Sequence, residues 1–244
     1  MGLPGLIRKN KREILVAIIL LILGFFLLIV FNSVPEQRVV LDSTAGQIID
    51  SGVEKTGSPN LVTAILYDYR AFDSLGESTV IYAAVSSIAL ILSFKTLPIS
   101  SQGLSFISKR TFSLVTPFVF IFGFYIITHG HLSPGGGFQG GVILAAISII
   151  FCIIYGSAYD YENVSPGSKT LLETGGALLF VFLGILGIIV GGNFLSNFGI
   201  SPAQSGTLFS SGNILLINLG IGVKVGAGLA IIFYTMIQKT YLEE

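Results

Sequence analysis

Three clusters in this chain hold side chains able to handle protons or ions. The first reads Asp68, Tyr69, Arg70, Ala71, Phe72, Asp73, Ser74, Leu75, Gly76, Glu77 and stands just ahead of a long apolar run. In helical form it places Arg70, Asp73 and Glu77 at i, i+3 and i+7 on one face, where opposite charges support one another. One reading is a surface salt bridge that anchors a helix. The other is a carboxylate pair at the mouth of a cation or proton path, with Glu77 favoured because it lies nearest the apolar run.

The second cluster runs Thr128, His129, Gly130, His131, Leu132, Ser133, Pro134, Gly135, Gly136, Gly137, Phe138, Gln139, Gly140, Gly141. Unperturbed histidines titrate near neutral pH, so His129 and His131 suit proton exchange; hydrogen bonding within the loop is the alternative. Spaced i, i+2, they share no helix face, which argues against joint metal binding. Gly135, Gly137 and Gly140 match GxGxxG, but they join two apolar runs instead of a strand and a helix, so a dinucleotide site is not expected. No Lys-Ser or Lys-Thr follows, which removes a P-loop. Such dense glycine predicts a tight or partly re-entrant turn.

The third feature is Lys224, set among Asn218, Gly220, Gly222, Gly226 and Gly228. On a helix, Gly220 and Gly228 lie at i−4 and i+4 from the lysine, leaving a nearly bare face on which a partner helix must pack. Asn218 makes that face more polar. A lysine at the bilayer centre costs about 2.5 to 3.5 kcal/mol on the insertion scale, so it must face protein or water. Glu77 and Glu173 are the acidic groups of this chain close to spans, and a second polypeptide is an equal source of a partner. Desolvated lysines can exchange protons.

The elements that position these residues are legible from composition. Of 244 residues, 52% are apolar and 11% charged, and the mean hydropathy is +0.85, whereas a soluble domain carries about 25% charged residues. Thirteen basic residues balance thirteen acidic ones, leaving no positive surplus to track nucleic acid. The single cysteine, Cys152, excludes an internal disulfide and a thiolate cage for iron-sulfur or zinc.

Six runs have a length suited to a bilayer: Ile14 to Phe31, Ser78 to Phe94, Thr111 to Thr128, Phe138 to Tyr155, Thr174 to Gly192 and Gly212 to Ile237. The fold predicted is all-α, a polytopic membrane protein with six transmembrane helices. The first run follows Arg8, Lys9, Lys11 and Arg12, but Asn32 to Glu36 offers no small-x-small cleavage site, so it reads as a retained helix. Arg8, Lys9, Lys11, Arg12, Lys95, Lys109, Arg110, Lys169 and Lys239 fall on one side, against Arg38, Lys55 and Arg70 on the other. That asymmetry predicts a multi-pass protein of the cell membrane with both termini cytoplasmic. Asn32 to Gly76 forms the long external connection, within which Leu61, Val62, Ile65 and Leu66 have the spacing of a short interfacial helix. Polar residues between Ile99 and Ser108 suggest a boundary near 105, giving a two-helix segment 1–105 and a four-helix segment 106–244.

At these motifs the chain resembles two families joined end to end. Asn60 to Thr79, NLVTAILYDYRAFDSLGEST, resembles the C-terminal part of the large A subunit of Mrp-type multisubunit cation/proton antiporters, whose signature is approximately DxRGFDTxGE. Ala71 and Ser74 stand where that pattern has Gly and Thr. Thr116 to Gly141 is similar to the MnhB family, the smaller B subunit of the same antiporters, through His129-Gly130-His131 and Pro134 to Gly141. The resemblance implies a membrane subunit of an assembly that exchanges Na⁺ for H⁺, without the long antiporter-like body of the A subunit.

Related modules occur in archaeal membrane-bound hydrogenases and sulfur-reducing complexes. The implied partners are therefore other Mrp-type membrane subunits, the lipid bilayer and peripheral iron-sulfur or nickel redox subunits. By family position Asp73, Glu77, His129 and His131 become ion-path candidates. Lys224 joins them on its setting, with Arg70, Asn218 and Glu173 in support. Transported Na⁺ and H⁺ are expected, not a bound cofactor, and no nucleophile, metal cage or cofactor loop suggests a catalytic site. Two alternatives stand beside an ion-translocating subunit. One is a non-conducting scaffold for a free-standing antiporter. The other is a self-contained transporter, which would favour internal repeats that the chain does not display convincingly.

Overall fold

In the computed structural model, the residues described are 44–92, 103–156, 165–200 and 205–240, with scattered helical positions between 18 and 32 and at 159. The chain divides into two compact units, Met1–Ser43 and Thr44–Glu244. The expected first span, Ile14 to Phe31, belongs to the first unit and lies largely outside the described residues.

The second unit is helical: α1 (Thr44–Thr56), α2 (Leu61–Ala64) leading into a π-helical turn (Ile65–Tyr69), α3 (Ala71–Leu92), α4 (Phe106–Thr128), α5 (Gly137–Tyr155), α6 (Pro166–Gly191) and α7 (Ile214–Thr240). Five of these, α3 to α7, are long and apolar enough to cross a membrane. The only pairing of extended backbone among the described residues is an isolated bridge between Ile200 and Ser211.

Helix ends follow local chemistry. Ser105 and Ser165 each accept a hydrogen bond from the backbone N–H three residues on, capping α4 and α6. Pro166 opens α6, where the N–H it lacks would have had no partner. Gly192 closes α6 in the left-handed region at φ 79°. Both α3 and α6 begin seven or eight residues before the apolar runs expected at Ser78 and Thr174, so Asp73, Glu77, Lys169 and Glu173 are helical residues and not loop residues.

Helix α7 is the hub. Of its most apolar window, 67% is buried inside the chain, against 11% to 39% for the other four spans. Its neighbours are α5, α6, α3 and α4. Close approach to α5 and α6 is possible because glycines face each other there, the small-residue packing that membrane helices use. A β-carbon on Gly141 of α5 would stand 2.8 Å from the Gly222 carbonyl of α7, and one on Gly176 of α6 would overlap the Gly220 carbonyl. Phe180 of α6 and Ile214, Ile217, Ile221 and Val225 of α7 belong to one buried apolar cluster.

Gly175 and Gly176 make an internal control, because a β-carbon at Gly175 meets nothing within 4 Å. Gly176→Leu is expected to lower stability by about 1 to 3 kcal/mol, the usual cost of overpacking, and Gly175→Leu to change it little. Thermal unfolding of the detergent-solubilised protein measures both; equal shifts would contradict the packing described.

Candidate functional site

At one end of the bundle, three segments interlock around the glycine-rich turn. Asn60 caps α2 through its side-chain oxygen, which accepts from the Val62 and Thr63 N–H groups. Its Nδ2 donates to the Gly130 carbonyl at 2.7 Å and the Ser133 carbonyl at 2.9 Å. The Asn60 N–H and the Ser58 hydroxyl both donate to the His131 carbonyl, and the Thr63 hydroxyl donates to that of Gly130. Ser210 and Ser211 donate their hydroxyls to the Gly57 carbonyl at 2.6 and 2.9 Å. Gly57 sits at φ 66° directly against the Ser210 carbonyl, a place that excludes a side chain.

Within this cap the two histidines diverge. His129 is half-buried, stacks on Tyr125 at 4.2 Å and has its Nδ1 3.0 Å from the Thr128 hydroxyl. The His131 ring is fully buried. Its two nitrogens lie by the Thr207 and Leu208 backbone without reaching hydrogen-bond geometry. Burial lowers the His131 pKa below its ordinary value, and the charge of His129 acts in the same direction.

Below the cap, Asn218 of α7 accepts a 2.8 Å hydrogen bond from the Gly137 N–H, satisfying a free donor at the start of α5. The Tyr67 hydroxyl of the π-helical turn reaches the same Gly137 backbone, and burial raises its pKa. Asn218 thus has a packing task that its position beside Lys224 did not reveal. Tyr67 was not legible as a site residue; the only signal would have been a π-helical turn, which often marks functional positions.

Lys224 is 1% exposed at the centre of α7. Its Nζ donates to the Ser78 carbonyl of α3 at 2.7 Å and lies 5.7 Å from the Tyr82 ring centre, within cation–π range. A cavity of about 220 Å³ opens beside it between α3, α6 and α7, with Ser78, Thr79, Tyr82 and Thr174 in its wall. Glu173 of α6 is 3% exposed and is the acid whose charge acts on Lys224. Its Oε1 has no hydrogen-bond partner. The carboxylate lies beside Gly228 of α7, where a β-carbon would stand 3.5 Å from Oε1, an ordinary van der Waals contact.

The first cluster folds differently from expectation. Arg70, at φ −128° and ψ 39°, ends the π-helical turn and is not part of α3, so the face expected to run through Arg70, Asp73 and Glu77 starts only at Asp73. Arg70 and Asp73 form an ion pair, but both side chains are about half exposed or more, where such pairs contribute little. Glu77 is also exposed on this chain. Asp68 is held by Asn197, and its pKa is raised by burial. The fold therefore joins Lys224 to Glu173 and leaves the acids of α3 and the two histidines elsewhere. Sequence reasoning missed Lys169, which is 3% exposed with its Nζ 4.8 Å from the Tyr234 ring centre.

Among known families, a model described as a domain related to the MnhB subunit of Na⁺/H⁺ antiporters matches residues 107–231, or 125 of the 244 residues. The chain belongs to the MnhB family. The corresponding subunit of the Bacillus subtilis Na⁺/H⁺ antiporter is 30% identical over 124 residues, covering 46% of this chain and 83% of that protein. An uncharacterized protein of Methanocaldococcus jannaschii is 29% identical over 271 aligned positions, covering 97% of this chain and 96% of that one. Among solved structures, a chain of the membrane-bound sulfane sulfur reductase, an archaeal respiratory membrane complex, superposes with a TM-score of 0.72 at 30% identity, covering 93% of this chain and 98% of that chain. A chain of the Mrp complex from Dietzia sp. shares the fold at a TM-score of 0.65 and 20% identity, covering 93% of this chain and 26% of that chain. In this MnhB-family chain, the histidine turn, Lys169, Glu173 and Lys224 lie inside the matched region, and Asp73 and Glu77 precede it.

The cap of the MnhB-family chain has a defined pH dependence. Burial favours neutral His131, so the stability it contributes is complete above about pH 6.5, the value of an unperturbed histidine, and is lost as pH falls through the lower folded value. Lowering the pH from about 7.5 to 5.5 should reduce the thermal midpoint more in wild type than in His131→Gln. Parallel shifts in the two proteins would refute this account.

Proposed function

We propose that this chain is an ion-translocating subunit of an Mrp-type antiporter module, taking part in Na⁺/H⁺ exchange within a larger membrane-bound respiratory complex. The observation that carries the reading is the buried Lys224, within the electrostatic influence of the buried Glu173 carboxylate and lining a cavity with hydroxyls in its wall. Intramembrane charges of this kind mark ion and proton pathways. In the proposed cycle a cation entering the cavity finds the Ser78, Thr79, Tyr82 and Thr174 oxygens, and its positive charge displaces one proton of Lys224 to water at the cavity mouth, leaving a neutral amine. Departure of the cation lets the amine take a proton back. Asp73 and Glu77, on the exposed face of α3, gather or release cations, and the histidine turn exchanges protons.

In this reading residues 1–105 act as the A-subunit-like segment and 106–244 as the MnhB-like domain, with both termini cytoplasmic. Placement in a redox-driven complex is supported by likeness to the sulfane sulfur reductase chain along nearly its whole length. The proposed partners are then Mrp-type membrane subunits together with iron-sulfur or nickel-bearing peripheral subunits. A scaffold role is favoured by a different observation, the packing task of Asn218 and the glycines of α7.

Two experiments test these statements. Lys224→Ala is expected to abolish Na⁺/H⁺ exchange while the complex still assembles; normal exchange in an assembled Lys224→Ala complex would leave only the scaffold. Mass spectrometry of the intact complex, purified gently through a tag on this chain, should find peripheral redox subunits with the membrane subunits. Recovery of Mrp-type membrane subunits alone would assign the chain to a free-standing antiporter.

A further inference from the structure

Lys169 and Glu173 stand at i, i+4 on α6, so their side chains lie on one face a turn apart. Lys224 approaches the same face from α7, where Gly176 and Gly220 let the two backbones come close. Lys224, Glu173 and Lys169 are all at most 3% exposed. Two cavities flank this row. The smaller, about 220 Å³, has Lys224 in its wall and neither of the other two. The larger, about 520 Å³ between α4, α5, α6 and α7, has Lys169, Ser148 and Tyr159 in its wall and neither Lys224 nor Glu173. Glu173 lies between the two lysines, lining neither cavity, and its Oε1 lacks a hydrogen-bond partner.

We infer that Lys224, Glu173 and Lys169 form a proton relay joining the two cavities, with Lys169 as a second proton-exchanging residue. The inference rests on the reading of Lys224 given under the proposed function. The transfer begins once Lys169 has released a proton to the larger cavity, with Lys224 charged and Glu173 ionised. An N–H bond of Lys224 breaks as an O–H bond forms on Glu173, leaving both neutral. The Glu173 O–H then breaks as Lys169 gains an N–H bond, which restores the carboxylate. One proton has moved from one cavity to the other, and the row again holds one ammonium and one carboxylate. Each lysine has an aromatic face for its charged form, Tyr82 for Lys224 and Tyr234 for Lys169. Among the described residues, the remaining titratable group in this setting is Tyr159, which lines the larger cavity.

The test compares Lys169→Gln, Lys169→Arg and Lys224→Arg in the whole complex, reading Na⁺-driven proton movement in sealed vesicles and the amount of assembled complex. Arginine keeps the charge and the packing but holds its proton permanently. Both Lys169 variants should assemble and lose transport by about a hundredfold, the scale set by removal of a positioned proton-transfer group. A static ion pair would tolerate Lys169→Arg. Wild-type transport in Lys169→Arg, with Lys224→Arg inactive, would overturn the relay and keep the proposed function. Wild-type transport in both arginine variants would overturn the proposed function as well. Failure of both Lys169 variants to assemble would assign Lys169 to structure and overturn the relay.

Discussion

An ammonium group in the middle of a membrane helix has to be surrounded by other polar groups, and in this protein that demand is met by letting two helices touch backbone to backbone. Gly220 and Gly228 of α7 and Gly176 of α6 remove the side chains that would hold the helices apart. The stem of Lys224 lies against Gly176, and the Glu173 carboxylate lies beside Gly228. A third helix completes the shell, because the Ser78 carbonyl of α3 accepts the lysine proton at 2.7 Å. A helical carbonyl keeps a second lone pair after its ladder bond, so α3 serves Lys224 without breaking. The position of α7 at the centre of the bundle follows from this one requirement.

The cap obeys a different constraint. Turns that leave the helical ladder must find partners for every backbone group, and the glycine-rich turn finds them in a distant part of the chain. The Gly130 and His131 carbonyls take four donors from Ser58, Asn60 and Thr63. Those residues precede the region matched by the MnhB model, which contains the turn. A covalent link between the two raises their effective concentration and holds the cap together without any new contact.

Much of the fold was legible because burial in lipid requires long apolar runs, and five of the six expected runs correspond to helices. The sixth, Ile14 to Phe31, lies largely outside the described residues. Helix ends were misplaced for a consistent reason: hydropathy reports where lipid begins, not where hydrogen bonding begins. Ser165 and Pro166 carried the local signal for the true start of α6, a capping hydroxyl followed by proline. That signal moves Lys169 from a loop to a buried face one turn from Glu173. Lys224 was legible because its flanking glycines share its helix. The Ser210 and Ser211 bonds to Gly57, and the cap that Asn218 places on Gly137, join residues far apart in sequence and leave no local pattern.

The two sides of α3 carry opposite kinds of polar group, and this sets what the chain can contribute to an assembly. Ser78 is buried against Lys224, whereas Asp73 and Glu77 are exposed, and only 17% of the most apolar window of α3 is covered by its own chain. Carboxylates facing lipid would meet the same penalty that governs Lys224, so the Asp73 and Glu77 face requires water or a polar partner. The interior lysine meets the Ser78 carbonyl of α3, and the exterior acids stand on that same helix. A neighbouring protein seated on that face would therefore place its own polar groups one helix away from the smaller cavity, with α3 as the shared wall.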